Sequence, residues 1–186
     1  KHAPSPLEFV HYTQVVRMVR EPPLRNKQIL EKVMQKYGLL GYPLGHSFSK
    51  TYFNQKFEAE KIDAQYVNFE IPNINDFMEV IEENPNLCGL NVTIPYKEQV
   101  IPYLDELDED ARLIGAVNVI KFTKGLFGKK LKGYNSDIIG FKQSIDPLLN
   151  ETHRKALILG TGGASKATGC RSNPGFTQTE RILYHL

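Results

Sequence analysis

Asn91-Val92-Thr93-Ile94-Pro95-Tyr96-Lys97 sets two neutral hydrogen-bonding side chains and one lysine at the end of an apolar run. Asn91 and Thr93 are two apart, so on an extended backbone they project to one face and can bind neighbouring hydroxyls of a single ligand. Pro95 ends the strand, because proline cannot donate to a sheet ladder and presets a turn. Lys97 is then left at the mouth of the site, where an ammonium can give up a proton. Taken alone, the heptapeptide reads equally well as a β-strand ending in a surface lysine.

Working outward, strands and helices alternate. Residues 37–41 predict a short buried strand, ended by Pro43 and Gly45. Residues 50–62 carry Phe53 and Phe57 at i, i+4 and predict a helix whose first turn contains Ser47 or Ser49. Residues 66–71 alternate apolar and polar as a half-buried strand does, and Pro72 stops them. Asn73 is a good N-cap for a helix bearing Phe77 and Ile81. Beyond Lys97, the spacing of Leu104, Leu107, Ala111 and Ile114 predicts one further helix. The acidic run Asp105-Glu106-Leu107-Asp108-Glu109-Asp110 lies near its start and reads as a solvated face, not a metal site. Residues 116–122 and 131–134 predict two strands joined by the glycine- and lysine-rich turn 124–130. Asp137 precedes a helical segment with Ile138, Phe141 and Ile145, and residues 155–159 form a strand running into Gly160-Thr161-Gly162-Gly163-Ala164-Ser165. Such alternation means an α/β fold, a three-layer domain with a mostly parallel sheet.

Charge does not point to a polyanion partner. The 23 basic and 21 acidic residues of the 186 are interspersed, leaving a net charge of only +2, so neither nucleic acid nor a membrane surface is expected. Cys88 and Cys170 lack metal-ligand or redox spacing and read as free thiols of a reducing compartment. No apolar run reaches the roughly 18 residues of a membrane span, and a cytoplasmic location is the expectation. Residues 26–36 place Ile29, Leu30, Val33 and Met34 at helical spacing, a short amphipathic helix in an otherwise irregular leader.

Four more stretches accompany the heptapeptide: Gly41-Tyr42-Pro43-Leu44-Gly45-His46-Ser47-Phe48-Ser49, Gly115-Ala116-Val117-Asn118, Asn135-Ser136-Asp137 and the glycine turn at 160–165. In order and spacing the set resembles the shikimate dehydrogenase family, from about Tyr37 to about Ala167. The resemblance implies a substrate domain over residues 36–136 and the truncated beginning of a Rossmann-like NADP-binding domain over 137–168. Residues 1–35 and 169–186 fall outside it as leader and tail. It also implies NADPH-dependent, reversible reduction of 3-dehydroshikimate to shikimate, and it allows a homodimer.

The residues support that chemistry on their own terms. Ser47 and Ser49 stand at a helix entrance, where hydroxyls and open backbone N–H groups converge on an anion; by resemblance they hold the substrate carboxylate. Lys50 follows where the family commonly has proline. Lys97 and Asp137 are forty residues apart, and the resemblance implies that they meet across the cleft between domains as the catalytic pair; hydride addition to a ketone makes an alkoxide that must be protonated, and a carboxylate can orient the ammonium. Asn91, Thr93, Asn118 and Asp137 are expected to bind the ring hydroxyls; for Asn118 this rests mainly on the match to the family's Gly-Ala-Val-Asn. His46 belongs to the turn and is not expected to catalyse.

Gly160, Gly162, Gly163, Ala164 and Ser165 follow a predicted strand, which is the context for a pyrophosphate site. Past residue 167 the reading predicts no second Rossmann strand. Glu180 is therefore not expected to act as a ribose ligand. Two other functions stay open on these residues: an NAD-using quinate/shikimate dehydrogenase, and a shikimate-binding module without catalysis.

Overall fold

The computed structural model describes residues 34–45, 47–125, 128–150, 152, 155–159, 165–166 and 178–182. The leader helix expected over 26–36 lies outside these residues up to 33, and its last two positions are strand. β1 runs Gln35–Gly41, longer at its start than the apolar pattern indicates. α1 is Ser49–Ala59 and β2 is Ala64–Glu70. Asn73 accepts from the Asn75 amide and caps a 3-10 turn, Ile74–Asp76, that leads into α2, Phe77–Glu83. β3, Leu87–Val92, is followed by the four-residue α3, Tyr96–Gln99. Then come β4, Glu106–Leu107, and α4, Glu109–Ile114. The hairpin β5, Val119–Gly125, and β6, Gly128–Tyr134, precedes α5, Asp137–Ile145.

One six-stranded sheet has the order β2-β1-β3-β5-β6-β4. β1 pairs parallel with β2 and β3, and β4 with β6, while β5 is antiparallel to both neighbours. The sheet is mostly parallel and covered on both faces. On one face α1 packs Phe53 and Phe57 against Tyr37, Leu39 and Tyr66. On the other, Phe77, Val80 and Ile81 of α2 join Leu40, Leu90, Val92, Ile120, Tyr96 and Ala111. Leu39 and Leu40 are adjacent yet both buried, because a parallel central strand is covered on both sides and successive side chains enter opposite cores.

Three expectations are corrected. Leu104 and Leu107 do not lie on a helix with Ala111 and Ile114; the segment is a turn and the two-residue strand β4, and α4 starts only at Glu109. Long-range partners outcompete the helical spacing. The Asp105 N–H donates to the Leu131 carbonyl at 3.0 Å, the Leu131 N–H donates to the Asp105 carboxylate at 2.7 Å, and the Asp108 N–H donates to the Gly133 carbonyl at 2.9 Å. Gly133 permits the approach: a Cβ there would sit 2.7 Å from Leu104 Cδ1 and 2.9 Å from Leu107 Cδ2.

The second correction concerns the hairpin, where most of the lysine-rich segment expected as a turn is strand, with Thr123 opposite Lys130 and Lys124 opposite Lys129. The third concerns the tail. β8, Gln178–Ile182, pairs parallel with β7, Lys155–Leu159, so Glu180 stands opposite Leu157 inside a strand. The segment has no apolar run to announce it, and a parallel ladder is made by backbone groups that every residue carries.

Candidate active site

The site gathers at the C-terminal ends of β1 and β3, where the loops leave the sheet. After β1 the chain turns through a cis Tyr42–Pro43 bond, and after β3 through a cis Ile94–Pro95 bond. The two turns are stitched together: the Tyr42 N–H donates to the Ile94 carbonyl at 3.1 Å, and the Thr93 N–H to the Leu40 carbonyl at 2.9 Å. Gly41 is required there, because a Cβ would lie 2.5 Å from Thr93 Cγ2 and 2.8 Å from Leu44 Cδ2.

Ser47 sits in the first loop, its N–H donating to the Leu44 carbonyl at 2.9 Å. Its hydroxyl is buried without a hydrogen-bond partner. Ser49 is the first residue of α1, and no side chain caps that helix. Ser47 and Ser49 thus lead into α1 without being spent on the capping bond that competed with a binding role. Helix N-termini leave backbone N–H groups open, so the loop can receive a carboxylate.

Asn91 is the penultimate residue of β3, at 6% exposure. Its Oδ1 accepts from the Tyr66 hydroxyl at 2.8 Å, while its Nδ2 is buried and unpartnered. Asn68 is in register with Leu39 on β1, and Leu39 is in register with Asn91 on β3. The Asn68 Oδ1 is also buried without a partner, so one face of three adjacent strands carries both an open donor and an open acceptor. Buried polar atoms ordinarily find partners, so these two are open to a polar guest that can donate and accept.

Lys97 and Asp137, forty residues apart in sequence, meet. Lys97 Nζ is 2.7 Å from Asp137 Oδ2, with side-chain exposures of only 16% and 13%. α3 is anchored on both sides to allow this: the Tyr96 hydroxyl donates to the Ile71 carbonyl at 2.6 Å, and the Lys97 carbonyl accepts from the Val117 N–H at 2.6 Å. Asp137 opens α5, where the helix dipole favours a negative charge. Its N–H donates to Asn135 Oδ1 at 3.0 Å, and its Oδ1 accepts from Asn118 Nδ2 at 2.7 Å.

Asn118 is fully buried, and its Oδ1 also accepts from the Ser136 N–H at 2.9 Å. Asn135, 2% exposed, donates to the Ala116 carbonyl at 2.9 Å. The Gly-Ala-Val-Asn and Asn-Ser-Asp segments therefore clamp each other, and Asn118 reaches the ligand region chiefly through the carboxylate it orients.

Gly160, Gly162, Gly163 and Ala164 lie outside the described residues, as do His46 and Cys170. β7 ends immediately before Gly160, and Ser165 and Lys166 are helical, so the glycine-rich residues 160–164 follow a strand and precede a helical pair, an order that suits a pyrophosphate. Lys166 Nζ contacts Glu98 Oε2 at 2.7 Å, tying that helical turn to the residue next to Lys97. Sequence reasoning assigned no role to Tyr66, Asn68 or Glu98. The first two show in sequence only as alternate residues of one strand, and their shared face becomes meaningful once β2 is known to neighbour β1. Among the described residues no cluster of His, Cys, Asp and Glu could hold a metal ion.

Comparison with known proteins accords with this arrangement. The family model "Shikimate dehydrogenase substrate binding domain" matches residues 39–120. The shikimate dehydrogenase (NADP(+)) of Halothermothrix orenii is 47% identical over 140 residues, which are 73% of this chain and 46% of that protein. The crystal structure of shikimate dehydrogenase from Aquifex aeolicus matches with a TM-score of 0.68 at 35% identity, covering 83% of this chain and 57% of that one. Shikimate 5-dehydrogenase from Thermus thermophilus, solved in complex with shikimate, gives a TM-score of 0.69 at 26% identity, over 82% of this chain and 57% of that one. The chain spans about half the length of the curated relatives it matches. Residues 39–120, which carry Asn91 and Lys97, belong to the shikimate dehydrogenase substrate-binding domain family, and the relative and both structures carry the same family name.

Proposed function

We propose that this chain carries the substrate half of an NADP-dependent shikimate dehydrogenase, with residues 36–136 holding shikimate or 3-dehydroshikimate and residues 137–168 beginning the nucleotide domain. The observation that carries the reading is the 2.7 Å Lys97–Asp137 contact, with the unpartnered Ser47 hydroxyl and Asn91 amide in the same domain as Lys97. Ser47 and Ser49 bind the carboxylate. Asn91, Thr93 and Asp137 take the ring hydroxyls, and Asn118 holds Asp137 in place.

NADPH, when bound, supplies the hydride that adds to the carbonyl carbon. As the C=O π pair moves onto oxygen, Lys97 transfers a proton from Nζ to that oxygen, giving the secondary alcohol and a neutral amine that regains its proton from water. Asp137 keeps the ammonium aimed at the oxygen, and a donor fixed in a water-poor site stabilises developing negative charge without reorganising. The reverse direction uses the same groups, with the neutral amine accepting the hydroxyl proton. A cytoplasmic, homodimeric protein fits this role; no helix among the described residues is long and apolar enough to cross a membrane.

Calorimetric titration of the chain with shikimate tests the site, and reduction of 3-dehydroshikimate with NADPH or NADH tests the reaction. Saturable shikimate binding, weakened in Asn91→Ala, is expected. Absence of binding at millimolar shikimate overturns the substrate assignment, and turnover with NADH in preference to NADPH overturns the cofactor assignment.

A further inference from the structure

We infer that Tyr66 is a positioning residue for the ligand site: its buried hydroxyl holds one end of the Asn91 carboxamide and so fixes where the other end is offered to a ligand. A free asparagine can present either end of its amide, because the two ends differ by a half-turn about one soft torsion. Here the Tyr66 hydroxyl donates to Asn91 Oδ1 at 2.8 Å, in a place where Tyr66 is fully buried and Asn91 is 6% exposed. A phenol hydroxyl both donates and accepts, so it can hold either end of the amide, and what the bond fixes is the place and plane of the group. Swinging the carboxamide away from Tyr66 would leave both groups buried without that partner, a cost that disfavours the displaced state.

The phenol is itself held firmly. Asn54 of α1 brackets the Tyr66 backbone, its Oδ1 accepting from the Tyr66 N–H at 2.9 Å and its Nδ2 donating to the Tyr66 carbonyl at 2.8 Å. Phe53 stacks on the Tyr66 ring with centroids 4.6 Å apart and planes at 22°. Tyr66 pairs with Tyr37 across β2 and β1, and Tyr37 pairs with Gly89 of β3, two residues before Asn91. The phenol therefore reaches across the central strand on a row whose far member has no side chain. α1, which begins at Ser49, and β3, which ends beside Thr93, are joined through this contact, so the orientation of Asn91 is set by the same helix whose entrance carries the two serines.

A carboxamide end held at this point can meet a ligand hydroxyl, which both donates and accepts. This consequence rests on the substrate reading above, whereas the locked amide does not, and the experiment separates the two. Shikimate affinity is measured by calorimetry for the chain, Tyr66→Phe, Asn91→Ala and the double variant. Tyr66→Phe keeps the stacked ring and deletes only the hydroxyl. Loss of about five- to tenfold in affinity is expected for Tyr66→Phe, the scale of one hydrogen bond, with no further loss when it is added to Asn91→Ala. Additive losses, or wild-type affinity in Tyr66→Phe beside weakened binding in Asn91→Ala, overturn the positioning role.

The Asn91 side-chain amide is followed in parallel by 15N NMR, its resonances assigned by their disappearance in Asn91→Ala. Restricted side-chain motion in the parent chain and increased motion in Tyr66→Phe are expected. Equal motion in both overturns the inference even if shikimate does not bind at all, and in that case the failure of binding counts against the substrate reading alone.

Discussion

Asp108 shows how one side chain can serve a local and a pH-dependent role together. Its carboxylate accepts the Ala111 N–H at 2.8 Å and caps α4. Burial raises its pKa above the ordinary carboxylate value, against the Ala111 hydrogen bond that lowers it. The folded state thus holds this proton more tightly than the unfolded chain. The stabilisation is fully present at pH below the unfolded value and is lost as pH rises through the raised folded value. Asp108→Asn retains a capping oxygen and cannot titrate, so it is expected to match or exceed the parent in stability near pH 7 and to fall behind as the pH drops through the carboxylate range. Asp108→Ala should cost about 1 kcal/mol near neutrality through loss of the cap. Thermal melts across pH check both, and a gap that moves the other way would contradict the assigned shift. For Lys97, the expectation is chemical: in turnover by a form bearing a complete nucleotide domain, Lys97→Ala should lower kcat by roughly 100-fold or more while KM changes only a few-fold. Unchanged kcat would remove Lys97 from proton transfer.

Elements here are shaped at their ends more than along their lengths. α4 ends at Gly115, whose φ of 70° is left-handed and whose Cβ position meets nothing within 4 Å. Gly115→Ala should therefore cost about 1–2 kcal/mol from backbone strain alone, and Gly115→Asn less, because asparagine tolerates that region. Equal melting temperatures for the alanine and asparagine variants would exclude this cause. Gly41 differs, since its difficulty is space: a Cβ would press on Thr93, Leu44 and the Ile94 carbonyl, the last at 3.0 Å. Gly41→Ala is expected to cost roughly 1–3 kcal/mol by overpacking and to weaken shikimate binding as well, because the displaced Thr93 belongs to the site. Calorimetry beside a melt would show the two losses together. Stability loss with intact affinity would mean that Thr93 does not contact the ligand.

At the scale of the molecule, strands β1–β6 form one sheet and β7–β8 another, with no strand in common. Both apolar cores of the first sheet are filled by residues between Tyr37 and Leu131. A fragment of residues 34–150 is therefore expected to fold cooperatively and to bind shikimate within about twofold of the whole chain, as a unit with its own core does. A fragment that fails to melt cooperatively, or that loses affinity tenfold, would mean that the second sheet completes the substrate site.

The sequence by itself determined the α/β alternation, the strand that Pro95 terminates, the Asn73 cap and the order of the site motifs. These depend on periodicity, proline geometry and capping, which act over a few neighbouring residues. Tertiary structure alone decided that Leu104 and Leu107 leave the helical pattern, since the backbone of Asp105 and Asp108 beside them bonds to β6. It also decided that Gln178–Ile182 pairs with β7 through backbone groups that leave no trace in side-chain pattern. The family resemblance foretold that Lys97 and Asp137 meet, but not that α3 is anchored to Ile71 and Val117 to bring them to 2.7 Å. Tyr66 remained silent in sequence for the same reason: its partner, Asn91, is a neighbour only after β1 has been laid between β2 and β3. A hydrogen bond between distant segments is specified by the packing of the whole sheet, and no local window of residues contains it.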